Sequence, residues 1–296
     1  MLVMPAFSQE PPVAELKQKA LQGNTDAQFQ LGMIYELGRG VPEDSAEASR
    51  WFRMGAEQGD AVAQFSLGYK YELGRGVPQD DSEAVRWYRA AAELGQAAAQ
   101  NSLGRMYLNG TGVAQDYEEA VRWSRLAAEQ GDPNGQVALG GMYFNGQGVP
   151  QDDPEAVRWF RMAAEQGLSD SQFRLGYMYQ RGRGVPQDYA ESVKWWRAAA
   201  EQGLGVSQLE LGSSYAEGEG VLQDYVQAHK WFNLSSVDTS FYKEGKEVAV
   251  TLRDELAKKM TREQIAEAQR LATEWKPKEW EVIRKELKIG PPEVPQ

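Results

Sequence analysis

The chain repeats itself every 36 residues, and this period limits its fold more than any other feature. A tyrosine followed by a glycine-rich segment, as in YELGRGVPQD, occurs six times with no insertion between copies. The six copies begin at Tyr35, Tyr71, Tyr107, Tyr143, Tyr179 and Tyr215. A fixed period of about 20–50 residues is typical of repeat arrays, in which each unit buries its apolar face against its neighbours. The sequence therefore predicts one continuous array rather than two ordinary domains.

Each repeat begins with an amphipathic helix, here called helix A. In the second repeat, Ala63, Leu67 and Tyr71 lie at i, i+4 and i+8, which places them on one stripe of a helix. Gly74 follows where a left-handed glycine commonly ends a helix, so we expect helix A over residues 62–73. Gly68 lies inside this helix, where glycine costs about 1 kcal/mol relative to alanine. Because all six copies have glycine there, we expect a neighbouring helix to approach closely.

The second helix of each repeat, helix B, begins after an aspartate. Asp80 and Glu83 have the spacing of a capping box, in which each side chain bonds the backbone N–H of the other residue. Ala84 and Trp87 begin an apolar stripe, and Gly95 ends the helix. The tryptophan recurs in all six repeats, and we expect it in the core rather than as a sugar-binding platform. The same capping pairs are Asp44/Glu47, Asp116/Glu119, Asp152/Glu155, Asp188/Glu191 and Asp224/Gln227.

The two glycines ahead of helix B suggest a phosphate-binding loop, but the residues around them argue against one. A phosphate loop leaves the amides of a helix N-terminus open to an external anion and commonly continues with Lys and Ser or Thr. Here Asp80 occupies those amides with its own negative charge. We therefore expect Gly74 to end helix A and Gly76 to let the chain turn towards helix B.

The repeat pattern A-x-x-x-L-G-x-x-Y-x-x-G-x-G-V-x-x-D-x-x-x-A-x-x-W-x-x-x-A-A-E-x-G resembles the Sel-one-like repeat family, relatives of the tetratricopeptide repeat. The resemblance implies an all-α fold, a right-handed superhelical α-solenoid of six 36-residue helical hairpins with N- and C-terminal capping helices. The predicted divisions are residues 1–12 as a leader remnant or disordered N-terminus, 13–25 as an N-terminal capping helix, 26–236 as six repeats, 237–276 as C-terminal capping helices, and 277–296 as a tail.

Composition and the chain start bear on partners and location. The formal net charge of −11 argues against nucleic-acid binding, and no run of about 18 apolar residues occurs that could span a membrane. Cysteine is absent, which fits either redox compartment. Ala6-Phe7-Ser8 resembles the end of a secretory signal peptide, so we expect a periplasmic or secreted protein whose leader is truncated at Met1. The alternative is a cytoplasmic protein with a disordered N-terminus.

The sequence offers little material for catalysis, and we predict neither a catalytic residue nor a metal or other cofactor. His229 is the only histidine, so no two-histidine metal site can form, and we expect a surface or packing role for it. Ser240 to Lys243 matches the S-x-x-K pattern of β-lactamases, an activity linked to cysteine-rich relatives. The supporting S-D-N and K-T-G motifs do not accompany this match, which we interpret as chance. A β-lactamase-type hydrolase is the weakest hypothesis.

Function is then expected on the face of helix A that packing leaves free. Invariant positions cluster on one arc of the helix, whereas the opposite arc differs strongly between repeats. In arrays of this type helix A usually lines the concave side, so we call this arc the variable face and predict that it forms a partner-binding groove. Its candidate residues are Met33, Leu37, Tyr69, Leu73, Arg105, Asn109, Asn145, Arg174, Tyr177 and Arg181.

The variable face combines apolar anchors with arginines that can bind carboxylates or phosphates. We therefore predict a non-enzymatic scaffold or adaptor that binds a protein or peptide partner. The family resemblance implies roles in complex assembly, envelope processes, signalling or host interaction, and we favour a bacterial envelope protein. The alternative is a binder of a peptidoglycan or glycan fragment, for which Tyr69, Tyr177 and the arginines would serve equally well.

Overall fold

The computed structural model describes residues 13–238 and 242–291, and within these residues every regular element is an α-helix. The suggested leader and Ser240 lie outside the described residues. The helices before the first complete repeat and in the six repeats are α1 (Val13–Leu21), α2 (Thr25–Leu37), α3 (Ser45–Glu57), α4 (Ala61–Leu73), α5 (Asp81–Glu93), α6 (Ala97–Asn109), α7 (Tyr117–Glu129), α8 (Pro133–Asn145), α9 (Asp153–Glu165), α10 (Ser169–Arg181), α11 (Tyr189–Glu201), α12 (Gly205–Glu217) and α13 (Tyr225–Val237). After them come α14 (Lys243–Ala257), α15 (Arg262–Glu274) and α16 (Trp280–Glu286).

The helical hairpins form as the sequence predicts. Helix A of the second repeat is α4, which begins one residue before the predicted start and ends at the predicted residue. Gly74 follows it in the left-handed conformation, with φ of 66°, and its N–H donates to the carbonyl of Lys70. Consecutive repeats are joined by buried glutamines, since the Nε2 of Gln64 donates to the carbonyl of Ala56 at 3.1 Å. The glutamine side chain thus ties helix A to helix B of the preceding repeat.

Helix B begins at its aspartate, but the predicted capping box is only half formed. The Oδ1 of Asp80 accepts the backbone N–H groups of Ser82 and Glu83, as predicted. The N–H of Asp80 itself donates to the carbonyl of Tyr71 at 3.0 Å. Its donor is therefore already used, and Glu83 instead pairs with Arg86 at 3.2 Å. The prediction that Glu83 accepts the backbone N–H of Asp80 is therefore wrong.

The same backbone bond closes each of the six hairpins. The N–H of every N-cap aspartate donates to the carbonyl of the tyrosine that opens the glycine-rich segment. A capping box between Thr261 and Gln264, at the start of α15, does form in both directions. No preceding hairpin carbonyl competes for the Thr261 N–H, which explains the difference.

The repeated glycines mark close approaches between helices, as expected. A Cβ at Gly68 would lie 2.8 Å from Cδ1 of Tyr88 on helix B of the same repeat. Gly76 has a second role that the sequence did not indicate. Its φ is +73°, and a Cβ there would lie 1.9 Å from the carbonyl oxygen of Ser45, at the start of helix B in the preceding repeat. The loop glycine therefore permits contact between successive repeats as well as a turn.

The chain forms two compact units, one ending at Gly135 and one beginning at Gln136. In each unit the core is a series of slices between hairpins, built on the leucine of helix A and the tryptophan of helix B. These leucines are fully buried, and each of the six tryptophans is at most 7% exposed, which confirms their place in the core. The first unit holds Leu31, Leu67, Leu103, Trp51, Trp87 and Trp123, and the second holds Leu139, Leu175, Leu211, Trp159, Trp195 and Trp231.

The C-terminal helices pack on the last two repeats of the second unit. Helices α14 and α15 contact α13, and α16 contacts α11. Ile283 of α16 is fully buried in the same cluster as Trp195 and Leu175. The backbone N–H of Lys278 donates to the carbonyl of Glu201 at 2.8 Å, which holds the segment before α16 against the end of α11.

Candidate functional site

The variable face of helix A lies at the surface in both units. Leu37 and Tyr69 are each 47% exposed and Leu73 is 41% exposed, so none of these three side chains is packed in the core. The remaining candidates are exposed or half-buried, namely Met33, Arg105, Asn109, Asn145, Arg174, Tyr177 and Arg181. They are not core residues, because the leucine stripe faces inward on the opposite side of each helix.

In the first unit, internal ion pairs engage the charged groups near the variable face. The Nη2 of Arg105 lies 2.6 Å from Oε1 of Glu72, whose other oxygen accepts the hydroxyl of Tyr88 at 2.6 Å. Burial, followed by the hydrogen bond to Glu72, raises the pKa of Tyr88, so this phenol stays protonated. Arg105 is therefore bonded within the repeat array, rather than presented free to a partner. Lys70, 3% exposed, pairs in the same way with Glu36.

In the second unit, Arg174 and Tyr177 lie beside an apolar cavity of about 310 Å³. The guanidinium of Arg174 lies 5.7 Å from the ring centroid of Phe160, a cation–π distance. The cavity lies between helices α8, α9 and α10, and its lining residues are Phe144, Phe160, Phe173, Arg174, Tyr177 and Met178. The variable face thus continues here into a concave site with one cationic group.

The other candidates of the second unit lie outside this lining. The guanidinium of Arg181 lies 5.7 Å from the ring centroid of Tyr177. Burial raises the pKa of Glu210 on α12, an effect that the nearby charge of Arg181 opposes and that of Glu217 reinforces. Asn145 donates from Nδ2 to Oε1 of Gln147 at 3.3 Å. Glu210 is therefore an acidic neighbour of Arg181 within the second unit.

Sequence reasoning missed the aromatic walls of this cavity. Phe144, Phe160 and Phe173 come from three different helices, and only the folded hairpins bring them together. One signal was available, since Phe144 stands at the repeat position that Glu36, Glu72 and Leu108 occupy in the first three repeats. A change from acid to phenyl at a repeated position marks a local change in chemistry.

His229, the single histidine of the sequence, belongs to α13 rather than to the candidate site. His229 is 3% exposed and lies in the core rather than at the surface, so of the two predicted roles the structure supports packing. Burial and the charge of Arg253 lower its pKa, which keeps the imidazole neutral near neutral pH. Among residues 13–238 and 242–291, no group of three or more His, Asp or Glu side chains could hold a metal ion.

The repeat pattern, now seen as folded hairpins, matches a known family model. The Sel1 repeat model matches residues 25–60, 61–96, 97–132, 133–168, 169–204 and 205–236. The chain belongs to the Sel1 repeat family. Sel1 repeat proteins are generally protein-interaction scaffolds, and the fold is typically non-catalytic. No curated protein matches the chain significantly.

Two bacterial crystal structures are similar to this Sel1 repeat chain. One is a protective antigen present in uropathogenic Escherichia coli strains that displays an SLR fold, with 41% identity and a TM-score of 0.78 over 90% of this chain. The match covers 56% of the antigen, so the Sel1 repeat chain spans little more than half of that protein's length. The other is a Sel1 repeat protein from Oxalobacter formigenes, with 33% identity and a TM-score of 0.68, covering 75% of this chain and 91% of that one.

The helices of the described residues also bear on membrane insertion. None of them is both long enough and apolar enough to cross a bilayer.

Proposed function

We propose that this Sel1 repeat protein is a non-enzymatic scaffold that binds a protein or peptide partner on the variable face of helix A. The observation that carries the proposal is the exposure of large apolar side chains there, with Leu37, Tyr69 and Leu73 each more than two-fifths exposed. Tyr69 and Leu73 lie one turn apart on α4 and so form adjoining apolar surface, and such surface beside polar groups marks interaction sites. The second unit adds a concave apolar cavity beside Arg174 to this surface.

The proposal places the protein in a bacterial envelope compartment, either periplasmic or secreted. Its support is the similarity to an E. coli protein described as a protective antigen. The similarity covers most of this chain at 41% identity. The resemblance of Ala6-Phe7-Ser8 to the end of a signal peptide supports the same location.

Site-specific photo-crosslinking in cells of the native organism tests where partners bind. The photoreactive residue p-benzoylphenylalanine replaces Leu73 in the first unit and Tyr177 in the second. Matched controls place it at Leu222, which is 89% exposed, and at Tyr117, which is 39% exposed, both on connections or helix B rather than helix A. We expect defined protein adducts from the two variable-face positions and none from the controls.

Each result of the crosslinking experiment has a distinct meaning. Equal labelling at Leu222 and Tyr117 would show a partner surface elsewhere, and no adduct at either helix A position would contradict the proposal. An adduct to a peptidoglycan or glycan fragment at Tyr177 would favour the second candidate ligand, which half-buried Tyr177 and exposed Tyr69 on the same face also suit.

A further inference from the structure

We propose that the cavity beside Arg174 binds an apolar side chain that carries a carboxylate next to it, as part of an extended peptide segment. This inference rests on the proposed scaffold function and names the chemistry that one part of the variable face recognises. The carboxylate comes either from an adjacent Asp or Glu side chain or from the end of the partner chain, and the two sources share one mode of binding to the guanidinium.

Two junctions between repeats of the first unit contain the same kind of ion pair. A glutamate near the end of helix A of one repeat pairs with a cation on helix A of the next. Glu36 pairs with Lys70, and Glu72 pairs with Arg105. Glu36 and Glu72 stand at the same register position, 36 residues apart. At these two junctions the chain itself supplies the carboxylate that neutralises the cation.

The junction between the fourth and fifth repeats lacks this ion pair and has an arginine at another position of helix A. Phe144 stands at the register position of Glu36 and Glu72. In the next helix A, Met178 and Tyr177 stand at the positions of Lys70 and Arg105, and Arg174 lies about one turn earlier, at the cavity. Among the residues that the structure describes, Arg174 forms no ion pair, and its contact is with the ring of Phe160. An arginine beside an apolar cavity that forms no ion pair has its charge available to an external anion.

The cavity beside this guanidinium selects for an apolar group. Its volume of about 310 Å³ is at the lower end of the about 300–1,000 Å³ typical of small-molecule sites, which suits one large side chain. Three phenyl rings, Tyr177 and Met178 line it. Aromatic and thioether walls favour an aromatic or branched aliphatic occupant. The single cation at the lining then requires a negative charge close to that occupant.

The charged neighbours of Arg174 leave this side of the guanidinium open. Asp170 and Asp238 line a second cavity, of about 430 Å³, which Arg174 also lines, and neither forms a described ion pair with Arg174. The Oδ2 of Asp238 accepts the N–H of Gly205 at 3.0 Å, so this carboxylate is engaged in the backbone. Arg183, which stacks on Phe144 at 4.0 Å, is held by two hydrogen bonds to Asp153. Arg174 is thus the cation that meets the apolar cavity without a bonded carboxylate of its own, within the described part of the chain.

Small acylated amino acids test the pairing of charge and apolar group directly. The probes are N-acetylphenylalanine and acetyl-Phe-Glu-amide, which carry terminal and side-chain carboxylates, with N-acetylphenylalaninamide and acetyl-Phe-Gln-amide as their neutral counterparts. Binding to the full chain is followed by NMR through the methyl group of Met178 in methyl-labelled protein. We expect at least one acidic probe to bind roughly tenfold or more tightly than its neutral counterpart, as a charge-assisted bond to arginine provides.

Arginine variants separate this site from general electrostatic attraction. Arg174→Gln is expected to reduce binding of the acidic probe to the level of the neutral one, and Arg174→Lys to retain part of the preference. Arg158→Gln is the matched control, because Arg158 is an exposed arginine of α9 that pairs with Glu155 and lies outside the cavity lining. Arg158→Gln is expected to leave binding unchanged. Circular dichroism confirms that each variant keeps its helix content.

Several outcomes would overturn the inference. These are equal binding of acidic and neutral probes, an acidic preference that survives Arg174→Gln, an equal loss in Arg158→Gln, or no shift of the Met178 methyl by any probe. The two proposals fail separately. Crosslinks at Leu73 without probe binding would remove the cavity ligand alone, whereas probe binding without crosslinks at helix A would leave the cavity and remove the scaffold surface.

Discussion

At the scale of single residues, the role of a glycine here depends on what faces it rather than on its place in the helix. Gly140 and Gly141 are neighbours within α8. A Cβ at Gly140 would lie 2.9 Å from Cδ1 of Phe160 and 3.3 Å from Cβ of Trp159, both buried residues of helix B. A Cβ at Gly141 would meet nothing within 4 Å. The first glycine permits the two helices of the hairpin to pack, and the second only weakens its helix.

This contrast predicts opposite effects for the same substitution at adjacent positions. Gly140→Ala forces the aromatic side chain of Phe160 to move and is expected to destabilise the protein by about 1–3 kcal/mol, as overpacking of a core does. Gly141→Ala raises helix propensity in open space and is expected to stabilise by about 0.5–1 kcal/mol. Urea unfolding followed by circular dichroism measures both. A gain in stability for Gly140→Ala would contradict the close approach.

At the scale of the helix, the start of helix B shows what local pattern can and cannot predict. Asp80 bonds the first amides of α5 as the sequence predicts, because an N-cap depends on residues two and three positions away. The glutamate half of the box fails because the Asp80 N–H is taken by the carbonyl of Tyr71, nine residues earlier. That acceptor is positioned by the hairpin, which a local motif does not describe.

Because the capping box is only half formed, replacing its two residues is expected to lower the stability of the protein by unequal amounts. Asp80→Ala removes both bonds to the helix amides and is expected to cost about 0.5–2 kcal/mol. Glu83→Ala removes only an exposed pair with Arg86 and is expected to cost under about 0.5 kcal/mol. Gln264→Ala serves as the comparison, since Gln264 does return its bond to Thr261. Thermal unfolding ranks the three variants by their loss of stability. Equal losses for Asp80→Ala and Glu83→Ala would indicate that the complete capping box forms after all.

At the scale of the whole molecule, the sequence predicted the repeat helices well because their signals are local and occur six times. The 36-residue period located each hairpin to within about a residue, and the leucine and tryptophan stripes identified the core. The candidate site was predicted less completely. The cavity beside Arg174 combines side chains from three helices, and the engagement of Arg105 by Glu72 depends on packing between repeats. Neither follows from the pattern within one helix.

The packing of the C-terminal segment was also not predictable from the sequence, because its apolar residues do not recur with the 36-residue period. Ile283 and Val282 are neighbours in α16, yet Ile283 is fully buried in the core of the second unit and Val282 is 46% exposed. Ile283→Ala is therefore expected to cost about 2–5 kcal/mol, the range for a buried isoleucine, whereas Val282→Ala should cost under about 1 kcal/mol. Hydrogen exchange provides the decisive measurement. Because α16 contacts α11, faster exchange in residues 189–201 is expected in Ile283→Ala alone. Unchanged exchange there would mean that α16 contributes nothing to the stability of the fifth repeat, and that its contact with α11 is energetically neutral.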